Sequence, residues 1–245
     1  MNGRIRLVRV GLSVLVASLA LAPAVEAAGI SIFTAPDKTY QNTTNNPCIF
    51  YGPGNCSDPS GWPAPAGDTQ NFTANPLVQT YDGSGYSSWL SVVGTSFILG
   101  YDINQANGKP AQILTELTIT FYDGSNVQLS DYTMTGLPLS VPANANGNGY
   151  ADYVLAAGCS GVVTGTGVDA TCSQYLPFLV PNGTTKIVMT FNMSDDNDGA
   201  EQIFAIPAAC TTNCGPVPEP ATGTLVALGS GLVAVAYRLR RRRRV

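Results

Sequence analysis

Two segments of this chain place an apolar side chain at nearly every second position. The first, 113–122, reads ILTELTITFY, and the second, 186–194, reads KIVMTFNMS. A period of two puts alternate side chains on opposite faces of a strand, so each segment predicts a strand with one buried face. Asp123-Gly124 follows the first segment and fits a tight turn, which predicts a hairpin over 113–132.

Short strand patterns and turn residues continue along the body of the chain. Gly (26 residues) and Pro (17) interrupt it so often that no stretch of the body predicts a helix of more than two turns. Residues 89–102 predict a bent strand or two joined strands. Shorter strand candidates are 30–33, 77–81, 126–132, 150–155, 174–180 and 202–206. Strands at this spacing predict an all-β fold, a jelly-roll-like β-sandwich.

The segment 35–76 differs from the rest because it is dense in Pro, Asn, Thr and Gly. Proline lacks the N–H of a ladder hydrogen bond, so the segment predicts a long loop without central strands. Long loops in compact domains often carry function, which makes Trp62 in this loop a candidate for a ligand-binding face. Trp89 lies in a strand pattern and is predicted to be in the core.

The charged residues exclude several classes of function. The chain has no His, which excludes mechanisms that need an imidazole, among them Ser-His-Asp and Cys-His nucleophile systems. All nine Arg lie near the two termini, so the body holds three Lys against 14 Asp and Glu, a net charge of −11. An acidic body repels the phosphates of nucleic acid, and we expect no nucleic-acid partner.

The first 27 residues have the composition of a secretory signal peptide. Three Arg between residues 4 and 9 precede an apolar stretch, 10–21, and the small residues Val25 and Ala27. The apolar stretch is about a dozen residues, short of the ~20 that span a bilayer. We therefore predict cleavage by signal peptidase after residue 27 and export of the remainder.

Three features follow one another at the C-terminus. The tripeptide Pro218, Glu219 and Pro220 precedes an uncharged stretch of 17 residues, 221–237. A helix over that stretch is roughly 25 Å long, just short of a ~30 Å hydrocarbon core. A cluster of arginines then predicts a cytoplasmic stop-transfer signal, which places the body outside the cytoplasm. The cluster consists of Arg238, Arg240, Arg241, Arg242, Arg243 and Arg244.

This order of features resembles the PEP-CTERM sorting signal of exported proteins in Gram-negative bacteria. The resemblance covers residues 216–245 and implies that an exosortase recognises the Pro-Glu-Pro tripeptide and processes the protein during its transit to the surface. The two prolines exclude helix and strand at 218–220, which leaves the tripeptide extended for a membrane protease. The alternative is a permanent C-terminal membrane anchor.

These features divide the chain into four parts. We predict a signal peptide (1–27), a β-sandwich ectodomain (28–209), a linker (210–217) and a sorting signal (218–245) that contains a transmembrane helix at 221–237. Six cysteines, an even number in an exported chain, indicate disulfides. Nearest-neighbour pairing, one of fifteen connectivities, joins Cys48 to Cys56, Cys159 to Cys172 and Cys210 to Cys214. A metal site is the alternative, but the CxxC pairs of zinc fingers are absent.

An acidic cluster late in the body is a candidate for structural calcium, the one cofactor considered. Asp195, Asp196, Asp198 and Glu201 carry the hard oxygen ligands that Ca²⁺ prefers. Their spacing does not match an EF-hand loop, and the alternative is a solvated turn.

We expect an exported cell-surface or extracellular-matrix protein without catalytic activity, with signal peptidase, exosortase and, transiently, the membrane as partners. One alternative is a carbohydrate-binding module for an exopolysaccharide, with or without Ca²⁺. Another is an extracellular hydrolase, but nothing selects two of the 14 carboxylates as a catalytic pair. Ice binding needs a flat, regular threonine array, and Thr118 and Thr120, two such residues on one face, lack the repetition that would make an array.

Overall fold

The computed structural model describes residues 28–51, 56–67, 76–104, 109–142, 149–194 and 201–208. One α-helix lies among them, α1 (Gly83–Val92), together with a short 3₁₀-helix (Gly167–Asp169). The strands are β1 (Ala28–Thr34), β2 (Cys48–Tyr51), β3 (Leu77–Tyr81), β4 (Ser96–Asp102), β5 (Gln112–Tyr122), β6 (Gln128–Met134), β7 (Leu139–Val141), β8 (Tyr153–Ala156), β9 (Gly158–Cys159), β10 (Val163–Thr164), β11 (Thr171–Cys172), β12 (Tyr175–Leu176), β13 (Phe178–Leu179), β14 (Lys186–Ser194) and β15 (Gln202–Pro207).

Eleven of these strands belong to one sheet. Nine follow in the order β2-β15-β4-β8-β1-β6-β5-β14-β3, with β13 paired to β4 and β7 to β5. The segment 64–66 links the two edge strands. Gln79 of β3 donates its side-chain N–H to the Ala64 carbonyl (3.3 Å), and Ala66 donates its backbone N–H to the Ile49 carbonyl of β2 (3.1 Å). The sheet is therefore nearly closed, and the all-β prediction is confirmed.

Strand β1 joins two halves of this sheet. Its first three residues pair in parallel with β6, and its last four pair antiparallel with β8. Because β1 changes partners along its length, the half with β8, β4, β15 and β2 folds over the half with β6, β5, β14 and β3. Side chains of the two halves meet in the central core, where the rings of Phe50 and Phe191 stack with centroids 5.5 Å apart.

The two halves bury their strands differently. β5 and β14 mostly alternate buried and partly exposed residues, as their period of two predicts. β4, β8 and β15 are buried almost throughout, because a second apolar cluster covers their outer face. The segment 157–176, which we call the disulfide flap, contributes Cys159, Cys172 and Tyr175 to that cluster. Strands covered on both faces carry near-continuous apolar runs, as in 96–101 and 153–156.

Helix α1 corrects two predictions. Residues 89–102 are not all strand, because β4 begins at Ser96, and α1 has ten residues, nearly three turns. Its sequence, GSGYSSWLSV, has few strong helix formers, so local propensity does not indicate a helix. Tertiary packing decides, since Trp89 is fully buried with its ring centroid 4.8 Å from Tyr81 and 4.9 Å from Phe97.

The predicted hairpin over 113–132 is confirmed as β5 and β6. Asp123 closes its turn, because its Oδ1 accepts the backbone N–H groups of Ser125 (2.8 Å) and Val127 (2.9 Å). The residue with a left-handed backbone is Asn126 (φ 60°) rather than Gly124. Asparagine tolerates this conformation better than most other residues, which explains why the glycine is not needed there.

Candidate functional site

The structure places Cys48 against Cys56 and Cys159 against Cys172 as disulfides, which is the predicted nearest-neighbour pairing. The first disulfide lies at the start of β2, inside the segment 35–76. β2 ends the strand path, so it is an edge strand, and the prediction that this segment supplies no central strand agrees with the structure. The third predicted pair, Cys210 and Cys214, lies outside the described residues.

The prediction that Trp62 offers a ligand-binding face is wrong. Its side chain is 9% exposed, and its ring lies 5.2 Å from the Tyr81 ring and 5.8 Å from the Trp89 ring. Its indole N–H donates to the Cys48 carbonyl at 2.8 Å. Trp62 is therefore a core residue that the loop contributes. Trp89 also lies in the core, as predicted, although it belongs to a helix and not to a strand.

The one described residue of the predicted calcium site lies in the interior. Glu201 is fully buried, and its Oε1 accepts a hydrogen bond from the side-chain amide of Gln112. Gln112 in turn accepts the hydroxyl of Tyr101 at 2.7 Å. The described residues contain no group of three His, Cys, Asp or Glu that could hold a metal ion, so calcium binding stays a prediction. Its other three residues lie outside the described ranges: Asp195, Asp196 and Asp198.

A regular grid of short side chains covers the outward face of β6, β5, β14 and β3, and we call it the threonine face. The strand register sets its rows. One row consists of Thr133, Thr118, Thr190 and Val78. The next row consists of Asp131, Thr120, Val188 and Thr80. Neighbouring strands lie about 4.7–4.9 Å apart, and successive outward residues of one strand lie about 6.6–6.8 Å apart. Threonine thus occupies five of the eight positions in the two rows, and Thr133, Thr118 and Thr190 are neighbours across three strands.

Charged groups are sparse on the threonine face. Asp131 is the one charged residue in the two rows, and its Oδ2 accepts the hydroxyl of Thr133 at 3.0 Å. In the adjacent row, the Lys186 ammonium lies 4.5 Å from the centroid of the Tyr122 ring, a cation–π contact, and donates to the side-chain oxygen of Asn126. The face therefore offers hydroxyls, methyl groups and one carboxylate, and the cation in its adjacent row is already in contact with Tyr122 and Asn126.

The two ends of the described chain leave the domain at the same end of the sheet. β1 is antiparallel to β8, and β8 is antiparallel to β4, so β1 and β4 both start from that end. Ala28 therefore lies at the end of the sheet where Ser96 begins β4. Ala208 donates its backbone N–H to the Ser96 carbonyl at 3.0 Å, which brings the last described residue to that end as well.

Burial raises the pKa of several tyrosines. The pKa of Tyr153 rises to about 12, by desolvation first and then by the nearby carboxylates of Asp152 and Asp169. The pKa of Tyr175 also rises to about 12, by desolvation and by Tyr40. Burial raises the pKa of Tyr81 further still. Each group holds its proton more tightly in the folded protein than in the unfolded chain, where the pKa is about 10.

Alkaline unfolding is the expected consequence. The tyrosine contribution to the free energy of unfolding is complete below about pH 10 and is lost as the pH rises from about 10 through 12, because the unfolded chain releases its protons first. Urea unfolding measured by circular dichroism at a series of pH values should show this decline, and Tyr153→Phe should make it shallower. A free energy of unfolding that stays constant over this range would contradict the buried state of these hydroxyls.

The predicted sorting residues lie outside the described ranges, as do the signal peptide (1–27) and the helix 221–237. Of the helices that the structure describes, none has the length and apolar character needed to cross a membrane. Residues 216–243 match the family model described as the PEP-CTERM protein-sorting motif. The chain carries a PEP-CTERM sorting motif. The match includes the Pro-Glu-Pro tripeptide and most of the arginine cluster, so the predicted resemblance is confirmed.

The PEP-CTERM motif identifies this chain as an exported protein that an exosortase sorts to the cell surface. Comparison with curated protein sequences finds no match. Among solved structures, the enzymatically active domain of tailspike protein 4 from bacteriophage CBA120 aligns with 54% of this chain at 16% identity and a TM-score of 0.24. The aligned part is 13% of the length of that chain.

Proposed function

We propose that this chain is a cell-surface or extracellular-matrix protein without catalytic activity, which an exosortase cleaves at the tripeptide 218–220. The observation that carries the proposal is the sorting motif at residues 216–243. Two disulfides in the body support it, because disulfides persist in oxidising compartments outside the cytoplasm. The non-catalytic role rests on the sequence, since the absence of His excludes imidazole-based mechanisms and nothing selects two of the 14 carboxylates as a catalytic pair.

The position of the chain ends suits a protein held transiently in the membrane. Both terminal segments join the body at the same end of the sheet, next to the start of β4. Residues 209–220 separate the body from the predicted membrane helix at 221–237, and twelve residues reach at most about 40–43 Å. In this proposal the body, which we interpret as a jelly-roll-like sandwich, folds outside the membrane while it is still tethered at that end.

The intact mass of the protein from its native cells tests the proposal. We expect a surface or extracellular fraction that begins at Ala28 and ends between Pro218 and Thr222, because signal peptidase and exosortase remove the two ends. A Pro218→Ala/Pro220→Ala variant serves as the control and should accumulate with Val245 still present. A wild-type surface protein that ends at Val245 would favour a permanent anchor instead.

Deletion of 216–245 should give a secreted protein that is no longer retained or sorted.

The threonine face favours a second role for the body, carbohydrate binding. Its two central rows carry five threonine hydroxyls, on residues that are partly exposed or exposed. A calcium-dependent form of this role would use the acidic cluster at 195–201, and binding that disappears on chelation of Ca²⁺ would support it.

A further inference from the structure

We propose that the threonine face binds single chains of a neutral, hydroxyl-rich polysaccharide. The outer faces of the two halves of the sheet differ in whether another segment packs over them. The disulfide flap lies over β4, β8 and β15, whereas the outward residues of β5 and β14 remain partly exposed along their length. This inference rests on the carbohydrate-binding role proposed above, which concerns the body of the protein and is independent of the sorting motif.

The chemistry of the face matches a glycan chain. Each threonine hydroxyl both donates and accepts a hydrogen bond, as sugar hydroxyls do. A β-branched side chain in a strand has few rotamers, so Thr118, Thr120 and Thr190 lose little entropy when a ligand binds. Their methyl groups supply apolar contact for the C–H groups of a sugar ring. Thr133, Thr118 and Thr190 lie side by side on three strands, so consecutive sugar units can meet equivalent partners there.

The charge of the body selects a neutral glycan over an anionic one. The body between the leader and the sorting signal has three lysines and 14 carboxylates. Asp131 is the one charged residue in the two central rows, and its carboxylate repels an acidic polysaccharide. The nearest described cation, Lys186, already contacts the ring of Tyr122. The face therefore has no cationic cluster within the described residues that would recognise uronate, sulfate or phosphate groups.

The twist of the sheet selects a single chain over a crystalline surface. Adjacent strands in a sheet rotate by roughly 20–25° on average, so four strands turn the threonine face by roughly 60–75° from β6 to β3. Ice or a crystalline polysaccharide is planar and would touch only part of such a surface. A flexible chain can follow the twist and contact threonines of several strands at once.

Affinity electrophoresis of the full-length protein, purified in mild detergent, tests the proposal. The probes are native gels that contain hydroxyethylcellulose, galactomannan or laminarin, with alginate as the anionic comparison. We expect retardation in at least one neutral gel and none in alginate. In that neutral gel, Thr118→Val/Thr190→Val should weaken binding about 25-fold, because a hydrogen bond contributes about fivefold. Thr118→Ser/Thr190→Ser keeps both hydroxyls and should stay within about fivefold of the wild type.

The matched control is Thr164→Val, the same substitution at an exposed strand position of the disulfide flap. It should bind as the wild type does, and thermal melting should show that every variant folds. The proposal is overturned by free migration in all three neutral gels, by retardation in alginate alone, or by a double valine variant that binds normally. An equal loss in Thr164→Val would overturn it too. None of these results depends on where the C-terminus is cleaved, so failure of the sorting proposal would be recognised separately.

Discussion

Replacing Trp89 with alanine is expected to lower the free energy of unfolding by about 3–5 kcal/mol. Trp89 is fully buried, and its ring centroid lies within 4.8–5.8 Å of the rings of Trp62, Tyr81 and Phe97. Its indole N–H donates to the Gly94 carbonyl at 3.1 Å, just beyond the end of α1. Truncation therefore opens a cavity between three aromatic rings. It also removes the contact that holds α1, whose sequence has low intrinsic helix propensity, against the sheet.

The size of this effect is large against the 5–15 kcal/mol that stabilises a typical domain. Urea unfolding followed by circular dichroism measures it, since the substitution removes one of only two tryptophans and would disturb fluorescence. Leu90→Ala is the matched control, because Leu90 is the next residue of the same helix but is 40% exposed. We expect it to cost less than about 1 kcal/mol. Equal losses for the two variants would contradict the packing of α1 against the core.

Features with a local signature in the sequence were predictable. β5 and β14 follow from their period of two, because a half-buried strand needs that alternation whatever lies around it. The β5–β6 hairpin follows from Asp123-Gly124, although the side chain of Asp123 and the backbone of Asn126 make the turn. Close spacing along the chain also favoured the Cys48–Cys56 and Cys159–Cys172 disulfides.

Features that depend on distant residues were not predictable. Nothing local indicates that α1 is a helix, since the contacts that hold Trp89 come from β3, β4 and the loop that carries Trp62. The same contacts bury Trp62 despite its proline-rich surroundings. The composition of that loop indicates a polar segment. Trp62 nevertheless belongs to the core, because its ring packs against the rings of Tyr81 and Trp89, which lie elsewhere in the chain.

The threonine face shows why alternation alone does not locate a site. The sequence places Thr118 and Thr120 on one face of a strand, which is too few for an array. The array appears because β5 pairs with β6 and β14, and β14 with β3, in a register that aligns Thr118 with Thr133 and Thr190. Register depends on pairing between residues far apart in the chain, and a shift by one residue would turn these side chains into the core.

Removal of the Cys159–Cys172 disulfide by a double serine substitution should lower the free energy of unfolding by about 3 kcal/mol. The two cysteines are 13 residues apart, so the disulfide restricts a loop of moderate length in the unfolded chain. Its loss should also loosen the disulfide flap locally. Two hydrogen bonds from Thr34, to the carbonyls of Ala170 (2.7 Å) and Val168 (2.9 Å), would still hold the flap to β1, so the sheet itself should stay folded.

Thermolysin digestion under native conditions distinguishes local loosening from global unfolding. In the Cys159→Ser/Cys172→Ser variant we expect the first cut at Val162 or Val163, which are 67% and 50% exposed in the flap. Opening of the flap uncovers the second apolar cluster, including Phe33 and Phe204, and should raise the binding of an apolar dye. A double serine variant of the Cys48–Cys56 pair is the control. Its separation of eight residues predicts a similar or slightly smaller loss of stability. We expect no early cleavage in the flap of this control, because its disulfide lies on β2, which pairs with the edge of β15 that faces away from β4. Early cleavage in both variants, or in neither, would contradict a flap that depends on its own disulfide.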